Sequence, residues 1–348
     1  MDGKTKIKKL KNHLLYIIHN GKNSKWKYFC LSYFSLYIPR FVSIQLRKKA
    51  LKSLANRADK GYILSRVEYY NQLNANVQFD KVAFEKQLVE LKQQKIGHPS
   101  VYYLDSFVYA KRFPLNYKWH LLSGDITHVP SVPAITKTRP LGVDNTNSVL
   151  LKLDKVRHFI FVKDRKPFRK KKNKAIFRGL IGQVGGGNVK RNRLTFVEKF
   201  FGHPLFDIGV IDKGYPQWQT DKLTIRQHLN YKFVISLEGN DVASNLKWIM
   251  SSNSVAVMPR PTCESWFMEG KLIPNYHYIE IKADFSDVEE RLNHYIAHPE
   301  EAEAIIQHAH EYVDQFRDSK RERLITYLVL QKYFLFTEQQ LSTLRPEN

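Results

Sequence analysis

Two stretches of the chain pass from a short continuous apolar run through a polar turn into an amphipathic run, and together they set the first expectation of fold. The first begins at AIFRG (residues 175–179), continues through a glycine-rich loop at 179–188, and enters KRNRLTFVEKFF, where Leu194, Val197 and Phe201 recur at helical spacing. The second begins at KFVISL (232–237) and turns through Glu238, Gly239, Asn240 and Asp241. It then enters VASNLKWIM with Val242, Leu246 and Ile249 on one helical face. Asp241 or Asn240 has the chemistry of an N-cap for that helix. A further apolar run, Val255 to Met258, follows directly and stops at Pro259, so this stretch predicts a βαβ unit with a parallel crossover. Open α/β sheets bind ligands beyond the carboxyl ends of their strands. Residues 178–187 and 238–245 therefore lie along one crevice edge. Helix-start N–H groups, with Arg178, Arg191, Arg193 and Lys247 near them, suit a diphosphate there.

Upstream the pattern is mixed. Residues 62–73 and 81–94 show helical periodicity, whereas VYYLDSFVYA (101–110) and KWHLLSG (118–124) alternate as strands do. Residues 127–140 carry Pro130, Pro133 and Pro140 and predict a loop. A charged, proline-containing run at 164–173 marks a domain boundary. The expected organisation is a basic aromatic segment at 1–60, an acceptor-side α/β domain at 61–165, a nucleotide-sugar-binding α/β domain at 166–317, and a helix and tail at 318–348.

Charge narrows the partners. The 348 residues carry 56 Lys and Arg against 33 Asp and Glu, a net charge of +23, which calls for an acidic ligand or surface. No helix-turn-helix, zinc finger or RNP-like motif accompanies that charge, so nucleic acid is not expected as a partner. Residues 28–44 are apolar and aromatic but broken by Ser32, Ser35, Pro39 and Arg40, too short for a span, with Lys and Arg on both sides. That composition suits either a membrane-surface segment or an ordinary core helix with a basic face. The two cysteines, Cys30 and Cys263, lie far apart and predict neither a disulfide framework nor a zinc site, which favours a reducing compartment. His308 and His310 point to different helix faces and do not form a ligand pair.

FRG at 177–179, YKFVISLEGNDVASNLKWIMSSNSVAVMP, ESWF at 264–267, IPNYHYIEI and DVEERLNHYIAHPEEAEAI, in that order, resemble glycosyltransferase family 90. The resemblance is greatest to its bacterial, LpsA-like lipopolysaccharide branch. It implies a GT-B fold, two Rossmann-like domains facing a cleft, and an inverting, metal-independent transfer of a hexose from a UDP-sugar to a lipopolysaccharide core acceptor. It implies no cofactor, since the UDP-sugar is a co-substrate, and a peripheral position on the anionic inner face of the bacterial inner membrane. Gly124-Asp125, just past a predicted strand and ahead of ITKTRP (135–140), falls where the family carries its catalytic aspartate, so Asp125 is the expected base. A turn-forming role is the alternative. Arg178, Gly179, Arg193, Glu238, Gly239, Asn240, Asp241, Ser244, Asn245 and Lys247 form the expected donor site, with Arg139, Arg191 and Glu264 as secondary candidates. The animal branch has an arginine where this chain has Asn245, so one cation of the cradle must come from elsewhere. The chain contains no Asp-x-Asp motif, which accords with a metal-free site. A non-catalytic basic protein that binds nucleic acid or anionic surfaces is the competing reading.

Overall fold

The computed structural model describes residues 21–182 and 189–337. In chain order the helices are α1 (Lys25–Tyr37), α2 (Arg40–Ser53), α3 (Lys60–Tyr70), α4 (Lys81–Gln87), α5 (Ser100–Ala110), α6 (Lys155–His158), α7 (Arg191–Phe200), α8 (Ile225–His228), α9 (Leu246–Met250), α10 (Val288–Ala297), α11 (Pro299–Asp314) and α12 (Ser319–Phe336). The strands are β1 (Val89–Glu90), β2 (Lys118–Trp119), β3 (Ala134–Thr136), β4 (Thr138–Pro140), β5 (Ser148–Leu150), β6 (Lys172–Gly179), β7 (Phe206–Val210), β8 (Tyr231–Ile235), β9 (Val255–Met258), β10 (Cys263–Ser265) and β11 (Ile279–Glu280). They divide into two compact units. Among the described residues one holds 21–23, Arg157–Pro261 and Lys271–Asp314; the other holds Ser24–Val156, Thr262–Gly270 and 315–337.

The first unit is a five-stranded, all-parallel sheet in the order β11-β9-β8-β6-β7. Counted from β6 this is a 2-1-3-4-5 doubly wound order, in which the chain leaves β6 toward one edge and returns at β8 to build toward the other. The expected crossover from β8 through α9 to β9 is present, with Phe233, Val234 and Ile235 paired to Val255, Ala256 and Val257. Alternate residues Ala175 and Phe177 of β6, with Phe233 and Ile235 of β8 and Val255 and Val257 of β9, enter one apolar core. Phe196, Val197 and Phe200 of α7, Leu292 of α10 and Ile305 of α11 close that core. The helix after β8 is shorter than its periodicity suggests. It starts at Leu246 with Asn245, not Asp241 or Asn240, at the N-cap position, because the chain first spends residues 238–244 on an irregular turn.

The second unit departs further from expectation. Residues 101–110 form α5 rather than a strand: Tyr102, Leu104, Ser106, Val108 and Ala110 are buried, but so is Asp105, and a helix buried nearly all round mimics strand alternation. The stretch 127–140, read as loop, contains β3 and β4. Among the described residues its sheets are pairs: β1 with β2, β4 with β10, and a parallel β3–β5 pair prolonged by a bridge from Leu121 to Ile135. A second full Rossmann-like sheet is not present among the described residues.

The interior of this unit is organised around buried charge. Glu322 of α12 accepts from Arg66 at 2.7 Å, from Lys152 at 2.9 Å and from the Trp266 indole at 2.7 Å. Burial opposes ionisation of Glu322, and Lys152, Arg66 and these hydrogen bonds prevail, holding its carboxyl below the usual range. Trp266 stacks on Tyr70 with ring centroids 3.9 Å apart, and the Tyr70 hydroxyl donates to the Trp266 carbonyl at 2.8 Å. No helix among the described residues is long and apolar enough to cross a membrane.

One buried histidine gives the first unit a pH dependence. The Ile273 N–H donates to His277 Nδ1 at 2.9 Å, which requires the neutral ring. Burial, and then His308 beside it, lower the His277 pKa to about 4. The unfolded chain therefore takes up a proton that the folded chain refuses between about pH 6.5 and 4, so stability is complete above that window and falls as pH drops through it, by roughly 3 kcal/mol at most. Denaturant melts of the wild type and His277→Gln at pH 7 and pH 4.5 check this, with the variant expected to lose much of the pH difference.

Candidate active site

The carboxyl ends of β6 and β8 mark the point where the sheet's winding reverses, and one side chain ties them together. Arg193, in the first turn of α7, donates from Nη1 to the Leu180 carbonyl at 3.1 Å, from Nη2 to Leu237 at 2.8 Å and from Nε to Glu238 at 3.0 Å. The Asn192 amide adds a bond to the same Glu238 carbonyl at 3.2 Å. Burial lowers the Arg193 pKa to about 10, with the Asp212 charge acting against that shift. Arg193, expected to grip a diphosphate, bridges the two strand exits through these carbonyls. Gly239 lies against it: a Cβ there would stand 3.1 Å from Nη2 and 3.6 Å from the Lys190 Cε, so a side chain at 239 would press on the clamp.

Around this clamp the first turn of α7 contains no acidic residue, with Lys190 as N-cap and Arg191 exposed beside it. A helix start carrying only positive charge is electrostatically suited to an anion. Asp212, which sequence reading missed, accepts from the backbone N–H groups of Ile181 and Gly182, the latter at 3.2 Å, so those amides are already engaged. Lys190 was missed as well, since its value appears only when the fold brings its stem over Gly239. The loop glycines Gly185, Gly186 and Gly187 lie outside the described residues.

The remaining donor candidates divide. Gly239 and Asp241 form a tight turn closed by the Gly239 N–H to the Asp241 carbonyl at 3.0 Å, with Asn240 and Ser244 exposed and Asp241 buried. Asn245 is a bracket: its Nδ2 donates to the Ile235 carbonyl at 3.1 Å and its Oδ1 accepts from Ser236 at 3.0 Å. Lys247 is fully buried. Arg178, beside Gly179 at the end of β6, turns back along the sheet. Its Nη2 meets Asp207 Oδ1 at 2.5 Å and its Nη1 donates to the carbonyls of Asp207 and Phe177 at 2.8 and 2.9 Å. Since Ile176 and Asp207 are register partners, the guanidinium reaches back from the strand ends toward Asp207.

In the second unit, Asp125 follows Gly124, whose φ is +129°, and the ITKTRP block closes over it. Lys137, almost wholly buried, forms an ion pair with Asp125, the Tyr102 hydroxyl donates to Asp125 Oδ1 at 3.4 Å, and the Thr138 hydroxyl donates to the Ile126 carbonyl at 2.9 Å. The aspartate side chain stays 21% exposed, enough to meet a solute. Two residues on, Arg139 pairs with Glu264 directly across the β4–β10 ladder at 2.8 Å and donates to the Tyr69 carbonyl at 2.8 Å, while the Tyr69 hydroxyl also donates to Glu264. These two secondary candidates hold each other in the interior. Among the described residues one set of metal-type ligands occurs, His294, His298 and Glu301, exposed, with ligand atoms within 4.8 Å of one another on α10, its C-cap and α11.

The first unit thus carries a doubly wound sheet with a basic helix start at its switch point, and the second a partly exposed aspartate paired with a lysine. Comparison with known proteins gives the class. The profile of Glycosyl transferase family 90 matches residues 147–341. The O-glucosyltransferase LpsA of Dichelobacter nodosus is 40% identical over 280 residues, covering 80% of this chain and 84% of that protein. The protein is thus a glycosyltransferase, which sets aside the non-catalytic reading. It belongs to glycosyltransferase family 90 and is LpsA-like.

Arg178→Ala tests the structural role assigned above. Tyr231 and Arg178 both bond Asp207, and with burial acting the other way they hold its carboxyl below its ordinary range. Removing the arginine should cost about 1–3 kcal/mol in denaturant melts, the scale for unpairing a largely buried polar group, while UDP affinity in the folded variant changes little. A large loss of UDP affinity at unchanged stability would return Arg178 to the donor site.

Proposed function

We propose that the protein transfers a hexose, glucose first among the candidates, from a UDP-sugar to a hydroxyl of a lipopolysaccharide core acceptor, with inversion and without a metal, at the cytoplasmic face of the bacterial inner membrane. The observation that carries the donor half is the clamped switch point between β6 and β8, beside which α7 starts with Lys190, Arg191 and Arg193. Glucose and the O-linkage are suggested by the LpsA relative, an O-glucosyltransferase. In this reading the diphosphate meets Lys190, the turn at Gly239 and Asn240, and the exposed Ser244. Asp212 keeps the amides after β6, and Arg193 holds the edges in place. Glu238, half-buried beside that turn, serves the ribose or sugar hydroxyls.

The chemistry is a single displacement. Asp125 accepts the proton of the acceptor hydroxyl, the oxygen bonds to the anomeric carbon, and the bond from that carbon to the diphosphate oxygen breaks. UDP leaves with the bonding electron pair, and the positive charge around the departing phosphate offsets its developing negative charge. Lys137 pairs with Asp125 and fixes the position of its carboxylate before the transfer.

Donor binding is checked by calorimetry with UDP. Lys190→Ala should weaken it by about 1.5–3 kcal/mol, the scale of a charge-assisted hydrogen bond, and EDTA should leave wild-type affinity and turnover unchanged. Loss of turnover on chelation, restored by manganese or magnesium, would reject the metal-free cradle.

Base chemistry is checked separately. Asp125→Asn still accepts a hydrogen bond from Lys137 but takes up no proton, so turnover should fall on the order of a hundredfold or more while UDP-sugar affinity barely moves. Near-normal turnover in a folded Asp125→Asn enzyme would leave Asp125 as a turn former.

A further inference from the structure

We propose that α1 and the start of α2 form a lipid-docking face, in which Trp26, Phe34, Tyr37 and Phe41 enter the headgroup region of an anionic bilayer with the helices lying in its plane. This deepens the acceptor half of the function above, which needs a lipid-linked acceptor, and owes nothing to the donor chemistry.

α1 buries no residue at all, and α2 buries only Ser43, so the core-helix reading of this segment does not hold. Its large side chains stand in solvent: Trp26 is 78% exposed, Phe34 71%, Tyr37 82% and Phe41 72%. With the exposed Cys30, the residues at 26, 34 and 37 recur every three or four positions, which keeps them on one side of α1, and Phe41 stands exposed in the first turn of α2 just beyond Pro39. The orientation is fixed from the other side. The Tyr28 hydroxyl donates to Asp105 of α5 at 2.8 Å, Lys111 donates to the carbonyls of Leu36 and Ile38 at 2.6 and 3.1 Å, and Arg40 donates to the Phe113 carbonyl at 3.3 Å. The stripe is therefore presented outward by a packed helix.

Charge selects the occupant. Between residues 21 and 58 the sequence has nine lysines and arginines and not one aspartate or glutamate. A second copy of this chain laid on the stripe would set two such clusters against each other, which like-charge repulsion disfavours. An anionic bilayer satisfies both features, because Trp and Tyr rings settle at headgroup depth and each Lys or Arg near the surface gains from the lipid charge. At 13 residues α1 cannot span a hydrocarbon core and fits a position along the interface.

The test is sedimentation of the full chain with vesicles of phosphatidylcholine alone and of phosphatidylcholine with phosphatidylglycerol, joined to a fluorophore on Cys30, the other cysteine being buried. The wild type should bind the anionic vesicles at least tenfold more tightly than the neutral ones, lose that binding in high salt, and shift the Cys30 probe toward an apolar environment. The combined variant Trp26→Ser, Phe34→Ser, Tyr37→Ser and Phe41→Ser should keep its thermal transition, since none of the four is buried, and bind at least tenfold more weakly. Equal binding by that variant, equal binding to neutral vesicles, or a dimer in light scattering that the variant abolishes would each overturn the proposal. Turnover of a UDP-hexose on an acceptor stripped of its acyl chains reports on the donor reading alone, because no lipid surface enters that assay.

Discussion

The exits of β6 and β8 are held at a fixed spacing by the Arg193 guanidinium, and the chemistry assigned to the first unit depends on that spacing. A 2-1-3-4-5 sheet must part at its winding reversal, and the parting strands leave carbonyls without ladder partners. Arg193 satisfies three of them, losing part of its usual basicity to burial as it does so. The same placement brings Lys190 over Gly239 and leaves the first turn of α7 with basic residues and no acidic one. A structural cross-link and an anion-attracting edge thus arise from one turn of helix.

The second unit solves a different problem. Its strands are two or three residues long, so backbone ladders contribute little, and buried ion pairs fix the arrangement of its loops instead. Glu322 gathers Arg66, Lys152 and Trp266; Glu264 gathers Arg139 and Tyr69; Asp125 gathers Lys137. Breaking such a pair leaves an uncompensated charge indoors, which costs far more than the pair contributes when intact, about 3–5 kcal/mol. The ESWF and ITKTRP blocks are thereby explained as suppliers of these partners, and Asp125 inherits from them a fixed position with an exposed edge.

Much of the first unit is readable from pattern alone, because strands buried on both faces are written as unbroken apolar runs: AIF, KFVISL and VAVM became β6, β8 and β9. The second unit hides its strands. Pro133 stands immediately before β3 and Pro140 ends β4, positions where proline is tolerated in short strands, so prolines that suggest a loop merely bracket two. Residues 101–110 hide a helix, since its burial on most sides leaves no polar face to set the period. Side-chain roles are the least legible. Arg178 has the right neighbours in sequence, but its partner Asp207 comes from β7; Lys190 gains its position from a turn at 239. Spacing along the chain carries no record of either meeting.

Hydrogen–deuterium exchange of the wild-type protein with and without UDP tests the central claim most directly, because it reports where the nucleotide acts without any substitution. Protection is expected in peptides covering residues 179–182, 189–193 and 238–245, the two strand exits and the start of α7, with β7 and β11 unchanged. Protection confined to other segments, or none at saturating UDP, would contradict the placement of the donor at this switch point.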